Sequence, residues 1–301
     1  MSYSRSMDPD ARIAEIEALM ATPDFWSDKD NAQTLVREYQ FLKEGGKEGS
    51  DPHDMGSCTL AILAGAGGDD AEDFAYMLRT MYEGYARNKG WNVRELHANE
   101  NNHGGYRNVL LQIDGNGVYG RLKHESGVHR LVRISPFNAQ AKRQTSFALV
   151  EVLPMLAVGE KIELKEDELD MQFTKSGGAG GQNVNKRETA VRIVHIPTNI
   201  SVHVSSERSQ QANREKALEL LQAKLMVRQK EEAEAAAKGR SIATDTKNEW
   251  GSQMRSYVLH PYKMVKDHVT GHESGNPDKV LAGELDEFID AVIEKTENNS
   301  V

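Results

Sequence analysis

Three stretches of the chain carry apolar residues at helical spacing. The positions recur three and four residues apart, which puts them on one face of a helix and predicts that this face is buried. Asp69 followed by Glu72 predicts a capping box at the start of the first helix, and Gly90 suits its end. The three faces are Phe74, Met77, Leu78, Met81 and Tyr85; Ala217, Leu220, Leu221 and Leu225, with Lys224 beside them; and Leu285, Phe288, Ile289 and Val292.

Shorter runs alternate apolar and polar residues or are rich in β-branched residues, which is typical of strands. In the first half of the chain they are TLAILA, WNVRELH, NVLLQI, VYGRLKH and FALVEVLP. In the second half they are LDMQFTKS and AVRIVHIPTNISVHVS. Within the last run, Pro197-Thr198-Asn199 predicts a turn that joins two strands.

The order of these elements predicts a multidomain α+β protein. Residues 1–55 contain a short helical hairpin and a glycine-rich linker, and they are too few to hold a core of their own. Residues 56–163 form an α+β domain, and residues 164–248 form a small α/β domain. We expect residues 249–301, the C-terminal segment, to pack on the 56–163 domain.

Composition limits the expected cellular location and the kinds of site that the chain can form. The single cysteine, Cys58, excludes a disulfide framework and a cysteine-built zinc site, so a reducing cytoplasm is the expected location. No apolar run approaches the roughly 20 residues that span a bilayer, so no membrane partner is expected. His195 and His203 lie on predicted strands without the spacing of other ligands, and we therefore expect no metal site.

The formal net charge of −9 argues against a polyanionic partner, but the charges are unevenly distributed. Residues 107–147 carry 7 basic and 2 acidic side chains, and residues 172–248 carry 13 basic and 8 acidic ones. Two basic islands on an acidic chain are typical of selective contact with RNA or DNA, although solvated helix faces can give the same counts.

Two glycine clusters, GAGG at 65–68 and GGAGG at 177–181, invite comparison with phosphate-binding loops. Neither is followed by the Lys-Ser/Thr pair of a nucleotide loop or has the spacing of a dinucleotide fingerprint, so no cofactor is expected. The second cluster is either a flexible surface loop or a loop that presents backbone N–H groups to a substrate. Basic residues that could anchor phosphates there are Lys186, Arg187, Arg192 and Arg208.

Several motifs resemble one known family. SGGAGGQNVNKRETAVRIVHIPTNI, followed by SERSQQANR, resembles the catalytic domain of bacterial class I peptide chain release factors, whose hallmark triplet is here Gly180-Gly181-Gln182. GVHRLVRISPFNAQAKRQTSF resembles their codon-reading domain, and Ser135-Pro136-Phe137 matches the tripeptide of the release factor 2 group. GAGGDDAEDFAYML, WGSQMRSYVLHPYKMVKDH and TPDFWSDKDNAQTLVREY resemble further family segments, so the resemblance covers nearly the whole chain.

The resemblance implies a translation termination factor that recognises UAA and UGA in the ribosomal A site. It would trigger hydrolysis of the peptidyl-tRNA ester in the P site, acting only within the ribosome and in contact with both subunits, the ribosomal RNA and the mRNA. The backbone N–H of Gln182 would stabilise the transition state, and Gly180 and Gly181 would give the backbone freedom to aim it. The Gln182 amide would be the target of a glutamine methyltransferase.

The resemblance assigns codon reading to a second set of residues, which includes Pro136 and Phe137. The hydroxyl of Ser135 would donate or accept a hydrogen bond and so tolerate A or G at the second position. Thr145 would contact the third base, and the helix start at Gly68 to Asp70 would contact the first U through backbone groups. Outside this family context, an ordinary turn and an ordinary strand residue are the alternatives at Ser135 and Thr145.

The chain departs from the family at two positions and in one domain. Gln144 stands where a histidine usually inserts between the second and third bases, and its amide offers less π surface. Asp70 stands where glutamate is usual. The first domain, residues 1–55, is shorter than the family's helical bundle, which implies weaker dependence on the recycling GTPase, release factor 3.

Two other functions stay open at this point. A codon-independent ribosome rescue factor would use the same glycine loop, but such factors generally lack the Ser-Pro-Phe domain and rely on a basic tail, whereas this tail is acidic. A repurposed RNA-binding protein without release activity would have no need of an intact Gly180-Gly181-Gln182 triplet.

Overall fold

The computed structural model describes residues 9–22, 52–155, 164–174, 189–207, 209–237 and 253–298, with single positions at 32, 35, 36, 39 and 43. Its helices are α1 (Pro9–Met20), α2 (Asp69–Asn88), α3 (Val118–Leu122), α4 (Gln210–Ala237), α5 (Pro277–Leu281) and α6 (Asp286–Asn298). Its strands are β1 (Cys58–Ala64), β2 (Asn92–Glu100), β3 (Tyr106–Asp114), β4 (Gly127–Ile134), β5 (Arg143–Pro154), β6 (Leu169–Thr174), β7 (Ala190–His195), β8 (Ile200–Val204), β9 (Gln253–Val258), β10 (Met264–Asp267) and β11 (Glu273–Ser274).

Eight strands form one mixed sheet in the order β11-β10-β9-β4-β5-β1-β3-β2. Neighbouring strands are antiparallel except β4 and β9, which run parallel with Val132 opposite Val258. Because β9 to β11 come from the C-terminal segment, that segment belongs to the same sheet as β1 to β5. The predicted α+β class is confirmed, and the predicted boundaries of the domains stay predictions.

The predicted apolar helix faces form the core of this large unit. Phe74, Leu78, Met81 and Tyr85 of α2 are completely or almost completely buried against the sheet. Leu285 and, from α6, Phe288 and Ile289 pack into the same cluster, and Val292 is also buried, so the helical periodicity predicted for both segments is confirmed.

Two local predictions in this unit are wrong. α2 begins after Gly68, which has φ 57° and no side-chain cap, so there is no capping box; Glu72 instead bonds to the side chains of Asn101 and Arg107. VYGRLKH is not a strand but α3 followed by a 3-10 turn. Gly117, with φ 70°, breaks the chain direction before α3, and the residues that α3 then buries are Val118, Tyr119 and Leu122.

A buried ion cluster joins the C-terminal strands to the rest of the large unit. Arg255 of β9 donates to both carboxylate oxygens of Glu125 at 2.8 Å and to Asp267 of β10 at 3.2 Å, and all three side chains are at most 1% exposed. Tyr82 of α2 donates to Glu125 at 3.0 Å. Burial, with Arg255 nearby, lowers the pKa of His129 to about 4, so this imidazole is neutral at pH 7.

A small unit consists of the sheet β6-β7-β8 and α4. Val191 and Ile193 of β7 and the predicted apolar face of α4 lie in its core, which confirms both patterns. The turn between β7 and β8 contains Asn199 with φ 55°, as the Pro197-Thr198-Asn199 motif indicated. No described helix is long and apolar enough to cross a membrane.

The small unit packs against the large one along β2. Leu96 of β2 lies in the small unit's core, and His97 Nδ1 lies 2.7 Å from Ser205 Oγ. The rings of His97 and His203 are 4.2 Å apart. Burial, followed by the effect of His203, lowers the pKa of His97 to about 4, so two uncharged imidazoles form this contact at pH 7.

Candidate functional site

Four connections of the large unit meet at one edge of its sheet. β1, β2, β4 and β9 end there. β3, β5 and β10 begin there, because they pair antiparallel with these strands, whereas β4 and β9 pair parallel and therefore end at the same edge. This loop edge comprises residues 65–68, 101–105, 135–142 and 259–263. It brings together the codon-reading residues predicted from the sequence, which all lie on these connections or beside them: Gly68, Asp70, Ser135, Pro136, Phe137, Gln144 and Thr145.

The Ser135 loop is closed at its base. Ser135 N donates to Lys142 O at 3.1 Å, and the Ser135 hydroxyl oxygen accepts from Phe137 N at 3.1 Å. Ser135 is only 4% exposed, whereas Pro136 and Phe137 are exposed. The hydroxyl therefore keeps one donor and one lone pair for a further partner.

The start of α2 is tied to this loop through β4. Arg133 of β4 donates to Asp70 at 3.2 Å and forms an ion pair with Asp73 at 2.6 Å, and its own side chain is 14% exposed. Gly67 approaches Ser146 so closely that a Cβ atom would lie 3.0 Å from that side chain. The helix start and the Ser135 loop are consequently held in one position relative to each other.

Gln144 and Thr145 open β5 and are both exposed. Consecutive strand residues point to opposite faces of a sheet. Gln144, opposite Arg133, is on the α2 face, and Thr145, opposite Val132, is on the other face. One base can contact both side chains only if it lies over the end of the strand, at the loop edge.

The second candidate site lies at the open end of the small sheet. β6 ends at Thr174, which pairs with Ala190 at the start of β7, so the glycine-rich segment leaves and returns at neighbouring positions. Asn213 of α4 donates to Thr189 O at 2.8 Å and to Glu207 O at 2.9 Å and thereby fixes the returning chain. Outside the described residues lie Gly180, Gly181, Gln182, Lys186, Arg187 and Arg208.

Arg192 is the described member of the predicted phosphate-anchoring set. It is exposed on β7, opposite Gln172 and His203, and its guanidinium donates to Gln172 Oε1 at 3.4 Å. This contact is long and leaves the charge available to solvent. Within the described ranges, no group of three or more His, Cys, Asp or Glu side chains is arranged to hold a metal ion.

Comparison with known proteins identifies the family. The PCRF domain profile matches residues 48–150 and the RF-1 domain profile matches residues 158–269. Peptide chain release factor 2 of Listeria innocua is 38% identical over 344 aligned positions, which cover 97% of this chain and 93% of that protein. The chain belongs to the peptide chain release factor family. As a family member it acts in translation termination, with ribosome, mRNA and tRNA as partners.

Two further relatives agree with this family. Peptide chain release factor PrfB1, chloroplastic, of Arabidopsis thaliana is 47% identical over 248 positions, covering 81% of this chain and 54% of that protein. The solved structure of RF2 of Thermus thermophilus is 32% identical with a TM-score of 0.73, and the match covers 97% of this chain and 96% of that chain. The resemblance inferred from the motifs is thus confirmed.

The Listeria alignment also bears on length. It spans 344 positions but uses 97% of a 301-residue chain, about 292 residues, so about 52 positions of that release factor have no counterpart here. This difference is in line with a shortened first domain. The location of the missing positions in that domain stays a prediction.

Three residues at the loop edge were not predicted from the sequence. Arg133 positions the α2 start, and His103 and Arg107 lie on or beside the 101–105 turn at the same edge. Arg133 stands two residues before Ser135, and this proximity is the one feature of the sequence that could have indicated its place in the site. Nothing in the sequence brings residue 103 next to residue 137, because that contact depends on the pairing of β1 with both β3 and β5.

Proposed function

We propose that this release factor recognises UAA and UGA in the ribosomal A site and triggers hydrolysis of the peptidyl-tRNA ester. The observation that carries the proposal is the loop edge, where the Ser135 loop, the α2 start and the first residues of β5 lie together. These are the three segments to which the family resemblance assigns the three codon positions. The factor would act only as part of the ribosome and not as a free-standing enzyme.

In the proposed reaction, water attacks the carbonyl carbon of the ester that joins the peptide to the tRNA ribose. The C–O bond to the ribose breaks, the peptide leaves as a carboxylic acid, and a proton returns to the ribose oxygen. The backbone N–H of Gln182 would donate a hydrogen bond to the oxygen on which negative charge develops. A donor of this kind is typically worth about 3–4 kcal/mol of transition-state stabilisation.

Three finer proposals accompany this function. A glutamine methyltransferase would modify the side-chain amide of Gln182, leaving its backbone N–H free for catalysis. Release factor 3 would be needed less than by longer relatives, because the first domain is shortened. Arg192, with Lys186, Arg187 and Arg208, would contact phosphates of ribosomal RNA around the glycine loop.

Release in a reconstituted system with different A-site codons tests the function. We expect fast release on UAA and UGA, slow release on UAG, and none above background on UGG or without a codon. Equal release on UGA and UGG would refute codon reading, and release without any codon would favour the rescue factor. In the Gln144→His variant we expect better discrimination at the third position, because an imidazole offers more stacking surface than an amide.

A second prediction concerns Arg133. Replacing it with methionine leaves Asp70, whose side chain is 10% exposed, and Asp73 without their shared cation, so the α2 start loses its fixed position. The concentration of factor that gives half-maximal release on UGA should rise about tenfold, a change of about 1.4 kcal/mol. Arg87→Met, which removes an exposed charge from the far end of α2, is the matched control and should leave this concentration within about twofold of the parent value. An equal effect of both substitutions would show that only net charge matters.

A further inference from the structure

An exposed histidine at the loop edge is not explained by the function proposed so far. His103 lies in the turn between β2 and β3, and its ring centroid is 6.1 Å from that of Phe137, with the ring planes tilted by 50°. Both side chains are exposed to solvent. The contact joins two connections that are separated by more than thirty residues in the chain.

The turn that carries His103 is held in place by its neighbours. The Asn101 side-chain oxygen accepts from the backbone N–H groups of His103 and Gly105, each at 2.8 Å. Gly105 packs against α2, where an added Cβ would lie 2.8 Å from the Glu72 backbone. Gly104 has φ 83°, a conformation that side-chain-bearing residues rarely adopt. The exposed ring of His103 therefore lies on a fixed turn, which reduces the conformational entropy lost when the ring binds a partner.

The charges around His103 favour a base over a phosphate. Asp69 is exposed at the start of α2, and the carboxylates of Glu72 and Asp73 lie in the same helical turn. Arg107 and Arg133 form ion pairs with the latter two, so these two cations are already engaged and are less available to a phosphate at this turn. A neutral nucleobase can stack on an exposed aromatic ring at a gain of about 1–3 kcal/mol per base.

We propose that His103, supported on one side by Phe137, stacks against a base of the mRNA stop codon. The occupant is assigned to the codon because Phe137 is two residues from Ser135, whose backbone and hydroxyl shape the same loop. This inference rests on the proposed function and adds a residue to it. His103 is a specificity-determining contact and takes no part in the hydrolytic step.

The experiment compares His103→Ala, His103→Tyr and Asn102→Ala in the full-length factor. Asn102 is an exposed neighbour in the same turn and serves as the matched control. Release is measured against factor concentration on UAA and UGA ribosomes, and binding is measured on ribosomes with a sense codon in the A site. The half-maximal concentration should rise about tenfold for His103→Ala and less than threefold for the other two variants, with the maximal rate unchanged in all three.

The sense-codon arm separates mRNA from ribosomal RNA as the stacking partner. Loss of affinity on stop codons alone, with recovery in His103→Tyr, supports the proposal. Equal loss on stop and sense codons overturns it, because the ring would then contact ribosomal RNA. An unchanged His103→Ala factor, a reduced maximal rate, or equal losses for alanine and tyrosine also overturn it. Failure of the parent factor to distinguish UGA from UGG would refute the proposed function itself, whatever His103 does.

Discussion

Replacing Gly181 with alanine should lower the maximal rate of peptide release by a factor of about 10² to 10³. The reason is geometric: a Cβ atom bars backbone conformations that glycine adopts freely, so the N–H of Gln182 can no longer be aimed at the reacting oxygen. Affinity for UGA-programmed ribosomes should stay within about threefold, because the loop edge that we propose to contact the codon is unaltered. The measurement is single-turnover release at saturating factor.

Three variants of the same segment separate backbone geometry from side-chain chemistry. Gln182→Ala keeps the backbone N–H and should cost less than Gly181→Ala. Gln182→Pro removes that N–H and should cost at least as much. Gly178→Ala is the matched control, since we assign Gly177 and Gly178 only to the reach of the loop, and it should release peptide within about threefold of the parent rate.

Several results would contradict this assignment. Release by Gly181→Ala near the parent rate would show that the backbone conformation is not critical. A larger loss in Gln182→Ala than in Gly181→Ala would move the main role to the side-chain amide. Release by Gln182→Pro at the rate of Gln182→Ala would exclude the backbone donor and would leave codon recognition untouched.

The sequence predicted helices better than short strands, for a physical reason. The apolar face of α2 repeats over three turns, from Phe74 to Tyr85, and few alternative structures can bury such a pattern. VYGRLKH has seven residues, and its apolar positions fit either a strand or one helical turn. The positive φ at Gly117 decides in favour of α3, and this backbone feature has no reliable signal in a single sequence.

Only part of the candidate site could be named from the sequence, and its arrangement could not. Ser135 and the Gly180-Gly181-Gln182 triplet stand out because glycine and Ser-Pro motifs are local. The cation that fixes the α2 start, Arg133, pairs with Asp70 and Asp73, more than fifty residues away. Likewise, the parallel pairing of β4 with β9 joins segments about 120 residues apart, and the sequence of neither segment indicates which strand it pairs with.

The buried ion cluster around Arg255 predicts the largest loss of stability. Arg255→Met leaves the carboxylates of Glu125 and Asp267, at most 1% exposed, without a cation, and breaking a buried pair in this way typically costs about 3–5 kcal/mol. Total stabilities are about 5–15 kcal/mol, so the urea midpoint should fall markedly. Unfolding followed by tryptophan fluorescence measures this loss. Lys263→Met, which removes an exposed pair with Asp278, is the control and should change stability by less than about 1 kcal/mol.

A combined variant shows whether the loss of stability comes from unpaired buried charge or from lost packing. Adding Glu125→Gln and Asp267→Asn to Arg255→Met removes the unpaired carboxylates, and part of the lost stability should return, because neutral groups cost less to bury than lone charges. No recovery would mean that Arg255 acts by filling space beside Phe288, over which its guanidinium lies at 4.6 Å. Because β9 pairs with β4 directly before Ser135, codon-dependent release should fall as this cluster is weakened, even below the unfolding midpoint.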